Sequence, residues 1–375
     1  MEKLLPDICK IQYGYAFDSA KFSDTEGIPL IRIRDVVRGY SETYTTENCT
    51  SEYIVSDGDM LIGMDGEFNI AHWRGGKAYL NQRVCRLIPS DAVDPLYLYY
   101  FMPKALKAIE NKTPFVTVKH LSAKELNKII VPLPPMQEQK TIAGSLKKVD
   151  ELIALRKGQL AKLDELVKAR FVELFGDPVA NEKGWHTKPL LEMGSCKNGM
   201  NFHYEDKGVE INCLGVGDFK DYSIISDTST LPTVSLNEMP SDDYMLKDND
   251  IVFVRSNGNK ALVGRSVAVY PGNVPTTFSG FCIRYRKNDE EVNVPYLLRV
   301  LKAESIRQKM TGRGANIQNL NQQILGTLII PVPPIELQNQ FADFVDQTDK
   351  TKLTFQTSLD KLEVMKKALM QQYFG

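Results

Sequence analysis

The chain has 375 residues, 43% of them hydrophobic, and a formal net charge of −1. That length can bury cores in two or three domains, and the near-neutral charge surrounds them with no general attractive field for phosphate. The opening residues reach Pro6 and Asp7 before any leader-like apolar run, later apolar runs are strand-sized, and the six cysteines (Cys9, Cys49, Cys85, Cys196, Cys213, Cys282) are too scattered for a disulfide frame or a zinc site. The expectation is a soluble, cytoplasmic protein with no membrane association and with buried free thiols.

In chain order, residues 1–133 read as an α+β globular domain. Ile28 to Ile33 and Val84 to Ile88 alternate as half-buried strands do. Between them lie loops mixing amide, guanidinium, carboxylate and aromatic groups: Tyr15 and Phe17 after Gly14; Asp65, Glu67, Phe68 and Asn69 around Gly66; and Asn81, Gln82 and Arg83. Amides pair with adenine edges and arginine with guanine edges, and glycine permits close backbone approach to phosphate, so these are candidate DNA contacts, as are Arg32, Arg34 and Lys119.

Residues 134–176 read as one long helix. Pro134-Pro135 closes an extended run and pre-sets the first helical turn, and no further proline occurs before Pro178. Apolar residues recur in a four-three alternation at 142, 146, 149, 153, 160, 163, 167 and 174, interrupted by Arg156 and Arg170. That stripe is coiled-coil-like, and Gln137 to Phe175 would run about 58 Å. The linker 177–186 leads to a second domain, 187–332, with strand-like stretches at Ile251 to Val254 and Cys282 to Tyr285. Its candidate DNA contacts are Asn198, Asn201 and Phe202; Arg255, Ser256, Asn257, Asn259 and Lys260; Ser279; and Arg313 and Gln318. A second long helix fills 333–375, with the basic interruption of the first taken to return at Lys352 and Lys366. The four seam cations are candidate partner contacts, expected to pair with acidic groups at the helix seam or on a partner chain, because a buried unpaired charge is costly.

The second half repeats the first. Tyr97 to Gly176 aligns without a gap on Tyr296 to Gly375, a shift of 199, carrying Ile130-Val131-Pro132-Leu133-Pro134-Pro135 onto Ile329-Ile330-Pro331-Val332-Pro333-Pro334. Asp57 to Ile62 finds a looser echo at Asp248 to Phe253. One half is thus a variable domain followed by a constant helix, twice.

Catalytic motifs are missing from the sequence. Leu133-Pro134-Pro135-Met136 and Val332-Pro333-Pro334-Ile335 lack the polar residue before and the aromatic after the prolines that an adenine methyltransferase uses to hold its base. No Walker lysine loop occurs, and His72, His120, His186 and His203 are dispersed. A standalone methyltransferase fragment or a protein-only scaffold is the alternative to a DNA-recognition chain.

The tandem layout, the Gly14-Tyr15-Ala16-Phe17 and Asn81-Gln82-Arg83 stretches, the Pro-Pro-x-x-x-Gln helix starts at Pro134 to Gln139 and Pro333 to Gln338, and the Phe-Gly helix ends resemble the specificity (S) subunit of type I restriction-modification systems over essentially the entire chain. The resemblance implies two target-recognition domains separated by two antiparallel helices in a pseudo-twofold arrangement. It also implies double-stranded DNA as the ligand, two modification (methyltransferase) subunits and restriction (motor and nuclease) subunits as partners, and no cofactor on this chain. S-adenosylmethionine, ATP and magnesium would serve the partners.

Overall fold

The computed structural model describes residues 1–112, 119–202, 208–219, 224–311 and 319–375. Its contacts group the chain into two units, one formed by Met1–Gly158 with Gln356–Gly375 and the other by Gln159–Phe355.

The first unit is organised on an antiparallel sheet with strand order Cys9–Tyr13, Val84–Pro89, Met60–Gly63, Asn69–His72. Alternation along its central strands serves two cores. Met60, Ile62, Cys85 and Leu87 join the core formed with the helix Pro95–Lys112, while Leu61 and Val84 join Ile31, Val36 and Trp73 on the opposite face. The sheet is therefore covered on both sides, and these strands are more deeply buried than their alternation implies. The second face is closed by a sheet of five short strands in which Ile28–Ile31 runs parallel to Ala78–Leu80.

The strand expected over Ile28 to Ile33 stops at Ile31. The Asp35 carboxylate accepts the Arg32 N–H at 2.9 Å, which turns the chain into the short helix Ile33–Arg38, and Gly39 ends it in the left-handed conformation.

The second unit repeats the plan. Its sheet follows the order Gly194–Asn198, Cys282–Lys287, Asp250–Val254, Ser266–Val269, with Ile224–Ile225 added at the edge. Ile251, Phe253, Ile283 and Tyr285 face one core and Val252, Val254 and Cys282 the other. Val209–Leu214 runs parallel to Thr276–Phe278, and Gly215 N–H is captured by Asp218 at 2.8 Å as Arg32 is by Asp35. All six thiols are free, and burial pushes Cys9 up to about 11 and Cys85 up to about 12, which keeps them protonated and inert.

The long helices are Met136–Phe175 and Ile335–Phe374, each of 40 residues. None of the ten stripe positions of the first helix, nor their counterparts in the second, is fully exposed. In the first unit the two helices pair antiparallel, with Lys366 Nζ 2.6 Å from Asp150 and Lys157 Nζ 3.1 Å from Glu363. In the second unit Lys352 Nζ lies 2.5 Å from Asp164.

The basic interruptions do not in fact coincide under the repeat, since the shift carries Arg156 to Phe355 and Arg170 to Leu369. Each has its own neighbour instead: Arg156 donates to Ser358 Oγ at 3.2 Å, and Arg170 sits 2.9 Å from Glu173. The seam cations thus find partners within the chain.

The recurring residues have packing roles. Tyr97 donates to Pro132 O at 2.8 Å and Tyr296 to Pro331 O at 2.9 Å. Phe374 stacks edge-on against Tyr97 and Phe101 in the first unit, and Phe175 against Tyr296 and Phe341 in the second. No described helix is long and apolar enough to cross a membrane.

Candidate nucleic-acid interface

In the first unit three of the polar loops converge. Tyr15 bridges to Asn81, with its N–H on Leu80 O at 2.9 Å; Met64 N–H reaches Arg83 O at 3.0 Å; and Gly66 N–H reaches Lys119 O at 2.9 Å. Gly14 makes the approach possible, because a Cβ there would lie 2.1 Å from Asn81 O.

The second unit builds the same cluster from different side chains. Met200 bridges to Ser279 and Ser256 to Asn319, while Arg255 N–H reaches Phe281 O at 2.8 Å. Gly199 plays the part of Gly14, its virtual Cβ meeting Ser279 O at 2.1 Å. Recurrence of one backbone scaffold beneath two sets of side chains is the geometry of a variable reader on a fixed frame.

Within the first cluster Tyr15 is 39% exposed and packed edge-on to Phe17. Gln82, Glu67 and Arg83 are exposed, and the Asn81 side chain accepts the Gln82 N–H at 2.8 Å. Asp65 is held by His120 at 2.5 Å and by Arg83 at 3.6 Å. Asn69 is half-buried beside Gly63, donating to Glu67 O at 3.2 Å. Arg34, on the short helix that packs on Met60–Gly63 and Asn69–His72, and Arg32 just before it are exposed.

Three expected contacts are corrected by their surroundings. Phe17 is buried against Leu30 and Tyr79, and Phe68 lies in the main core, so neither ring can stack on a base. Lys119 turns inward, donating to Glu110 O at 2.7 Å.

In the second cluster Arg255 Nη1 donates to Gly280 O at 3.3 Å, while Asn257 and Asn259 accept the N–H groups of Asn259 and Ala261 in local turns. Lys260 begins a single helical turn, Lys260–Leu262. Ser279 Oγ accepts the Phe281 N–H at 3.3 Å. Asn198 is half-buried on its strand, Asn201 exposed and Phe202 half-buried. Arg313 and Gln318 lie outside the described residues.

Sequence reasoning missed His120, Asn319 and Phe281, the last with 61% of its surface exposed. All three owe their place to backbone bridges that no local pattern signals, although Phe281 aligns with Arg83 once Val84 is matched to Cys282. Two basic groups of the second sheet serve the fold. Arg284 is buried, and Arg286 pairs with Asp250 at 2.7 Å. Among the described residues no group of three His, Cys, Asp or Glu side chains could hold a metal ion.

Two repeated α+β units, each with a reader-like loop cluster and sharing a pair of long helices, define a bipartite recognition protein. The chain belongs to the type I restriction modification DNA specificity domain family, whose model matches residues 1–165 and again 182–364. It is 40% identical over 164 residues to the Type I restriction enzyme EcoBI specificity subunit of Escherichia coli, a match covering 43% of this chain and 34% of that one. It is 24% identical over 376 residues to the Type I restriction enzyme MjaVIII specificity subunit of Methanocaldococcus jannaschii, covering 91% and 87%. The crystal structure of the type I restriction-modification S subunit from M. genitalium shares the fold with a TM-score of 0.58 at 16% identity, over 100% of this chain and 96% of that one.

Proposed function

We propose that this chain is the non-catalytic recognition subunit of a type I restriction-modification complex, each globular domain reading one half of an asymmetric bipartite DNA target. The observation that carries the reading is the twice-built loop cluster: identical backbone bridges presenting Asp65, Arg83 and His120 in one unit and Ser256, Phe281 and Asn319 in the other. Equal frames with unequal side chains suit unequal half-sites. In this reading residues 1–133 and 187–332 are the recognition domains, 134–176 and 333–375 set the spacing between half-sites, and 177–186 joins the halves.

Two methyltransferase subunits would dock on the helices, and restriction subunits would join them. S-adenosylmethionine, ATP and magnesium would be bound by those partners in the cytoplasm. Apolar residues on the outer helix faces support the docking role, with Leu155 at 54% and Val364 at 65% exposure in the first unit.

The experiment is to co-express the chain with its methyltransferase subunit in cells free of other adenine methylation and to map modified adenines. A two-part, non-palindromic motif with a fixed spacer is expected. Exchanging residues 187–332 for those of a relative should change one part only. Methylation without this chain, or an unchanged motif after the exchange, would refute the assignment.

A further inference from the structure

We infer that Asp65, Arg83 and His120 form a guanine-reading head in the first domain, an assignment that rests on the DNA-recognition reading above. His120 Nδ1 lies 2.5 Å from Asp65 Oδ1, and Arg83 Nε lies 3.6 Å from Asp65 Oδ2. Arg83 Nη1 is 3.2 Å from Nδ1 and 3.4 Å from Nε2 of the imidazole. The backbone beneath is fixed by the Asp65–His120 bridge, by Leu121 N–H on Met64 O at 2.7 Å and by Met64 N–H on Arg83 O at 3.0 Å.

The arrangement sorts donors from acceptors. Asp65 is 22% exposed and its oxygens are turned toward His120 and Arg83, whereas Arg83 and His120 are 50% and 47% exposed. The group this head offers to solvent is the half-exposed guanidinium of Arg83, its Nε beside the Asp65 carboxylate and its Nη1 beside the imidazole. In the major groove only guanine offers two acceptors, N7 and O6, to such a fork. Adenine and cytosine present an amino donor that would need the acceptor Asp65 has already committed, and thymine offers one oxygen beside a methyl group. Pre-orienting the arginine also removes rotamer freedom before binding, which sharpens discrimination.

The second domain supplies the internal contrast. At the same bridges it carries Ser256, Phe281 and Asn319, and its nearby Arg255 is bonded inward to Gly280 O. A neutral amide and an exposed ring cannot reproduce a guanidinium, so the two clusters should read different bases.

The test uses the full chain bound to its methyltransferase subunit. The half-site of the first domain is the part of the motif that survives exchange of residues 187–332, and each of its guanines is replaced in turn by 7-deazaguanine, which removes the N7 acceptor. One replacement should weaken binding by roughly 5- to 10-fold, the lower end of the range for a bidentate pair because O6 remains. The same replacement should cost nothing further in Arg83→Ala. Arg83→Lys, which keeps the charge and loses the fork, should show the same insensitivity while retaining the salt dependence of binding, and His120→Ala should reduce the penalty in part. A first half-site with no guanine on either strand would overturn the assignment, as would a penalty undiminished in Arg83→Ala. In either case the complex still methylates a bipartite target, so the recognition reading stands. A complex that binds no DNA would sink both.

Discussion

At the scale of single residues, the repeat is held by buried polar side chains rather than by loops. Gln338 is fully buried, its amide oxygen accepting Asn293 N–H at 2.9 Å and its amide nitrogen donating to Pro333 O and Glu291 O, each at 2.8 Å. Gln139 makes the same clasp with Asp94 N–H and Pro134 O, each at 2.9 Å. Gln338→Leu preserves volume but strands one donor and two acceptors, for a loss of about 2–3 kcal/mol. Calorimetry should show a clear drop in the melting temperature, larger than for Gln139→Leu; an unchanged transition would mean that water satisfies the vacated groups. Gly14 is the corresponding point of sensitivity in the reader. Gly14→Ala forces a Cβ against Asn81 O, so methylation at the parental motif should fall sharply while assembly with the methyltransferase subunit persists. Parental methylation levels in Gly14→Ala would show that the close approach of Gly14 to Asn81 is not required for reading.

At the scale of elements, the seam cations combine ion pairing with helix register. Lys366 and Asp150 are each about one-third exposed, and Asp150 also accepts from Tyr100 Oη at 3.0 Å. Screening limits such a pair to about 0.5–1 kcal/mol. Lys366→Glu and Asp150→Lys should each lower stability by that order and weaken assembly, and the double exchange should restore both. Restored stability with assembly still impaired would show that Lys366 contacts a partner subunit instead. Leu155→Asp with Val364→Asp, on the outer faces, should weaken assembly without moving the melting temperature; loss of stability in that variant would reassign those residues to the fold.

The helices were legible in sequence because a forty-residue stripe at seven-residue repeat has few competing readings, and every stripe position avoids full exposure. The short helix Ile33–Arg38 was not, since one carboxylate, Asp35, redirects a stretch whose alternation suits a strand. Phe17 and Phe68 misled for a related reason: a polar loop carries its anchoring aromatics alongside its readers, and only tertiary packing separates them.

At the scale of the molecule, the first unit is not continuous in sequence. The first domain is completed by residues 356–375, whose Leu369, Met370, Tyr373 and Phe374 pack on the core around Tyr97 and Phe101. A fragment of residues 1–176 lacks that cover but carries its counterpart, with Phe175 standing for Phe374. Two copies should close each other's cores across a symmetric interface. With the methyltransferase subunit they should methylate a palindrome built from the first half-site. A stable monomer by light scattering would defeat the dimer, and an asymmetric motif would defeat the symmetry. A heptad inserted after Lys157 and another after Gln356 lengthens both helices by about 10 Å. The spacer of the methylated motif should grow by a few base pairs with both half-sites unchanged, and an unaltered spacer would mean that the helices do not set the distance.

The clasp at each helix start and the aromatic lock at each helix end have a consequence for how such genes can change. Tyr97 and Gln139 repeat the hydrogen bonds of Tyr296 and Gln338 to the helix start, and Phe374 packs on Tyr97 as Phe175 does on Tyr296. A crossover within the repeated segments therefore joins coding sequence for one variable region to a helix that already fits it. Homologous exchange at those two stretches would deliver new pairs of readers in a single genetic event, with the joints pre-matched and only the base-facing loops altered.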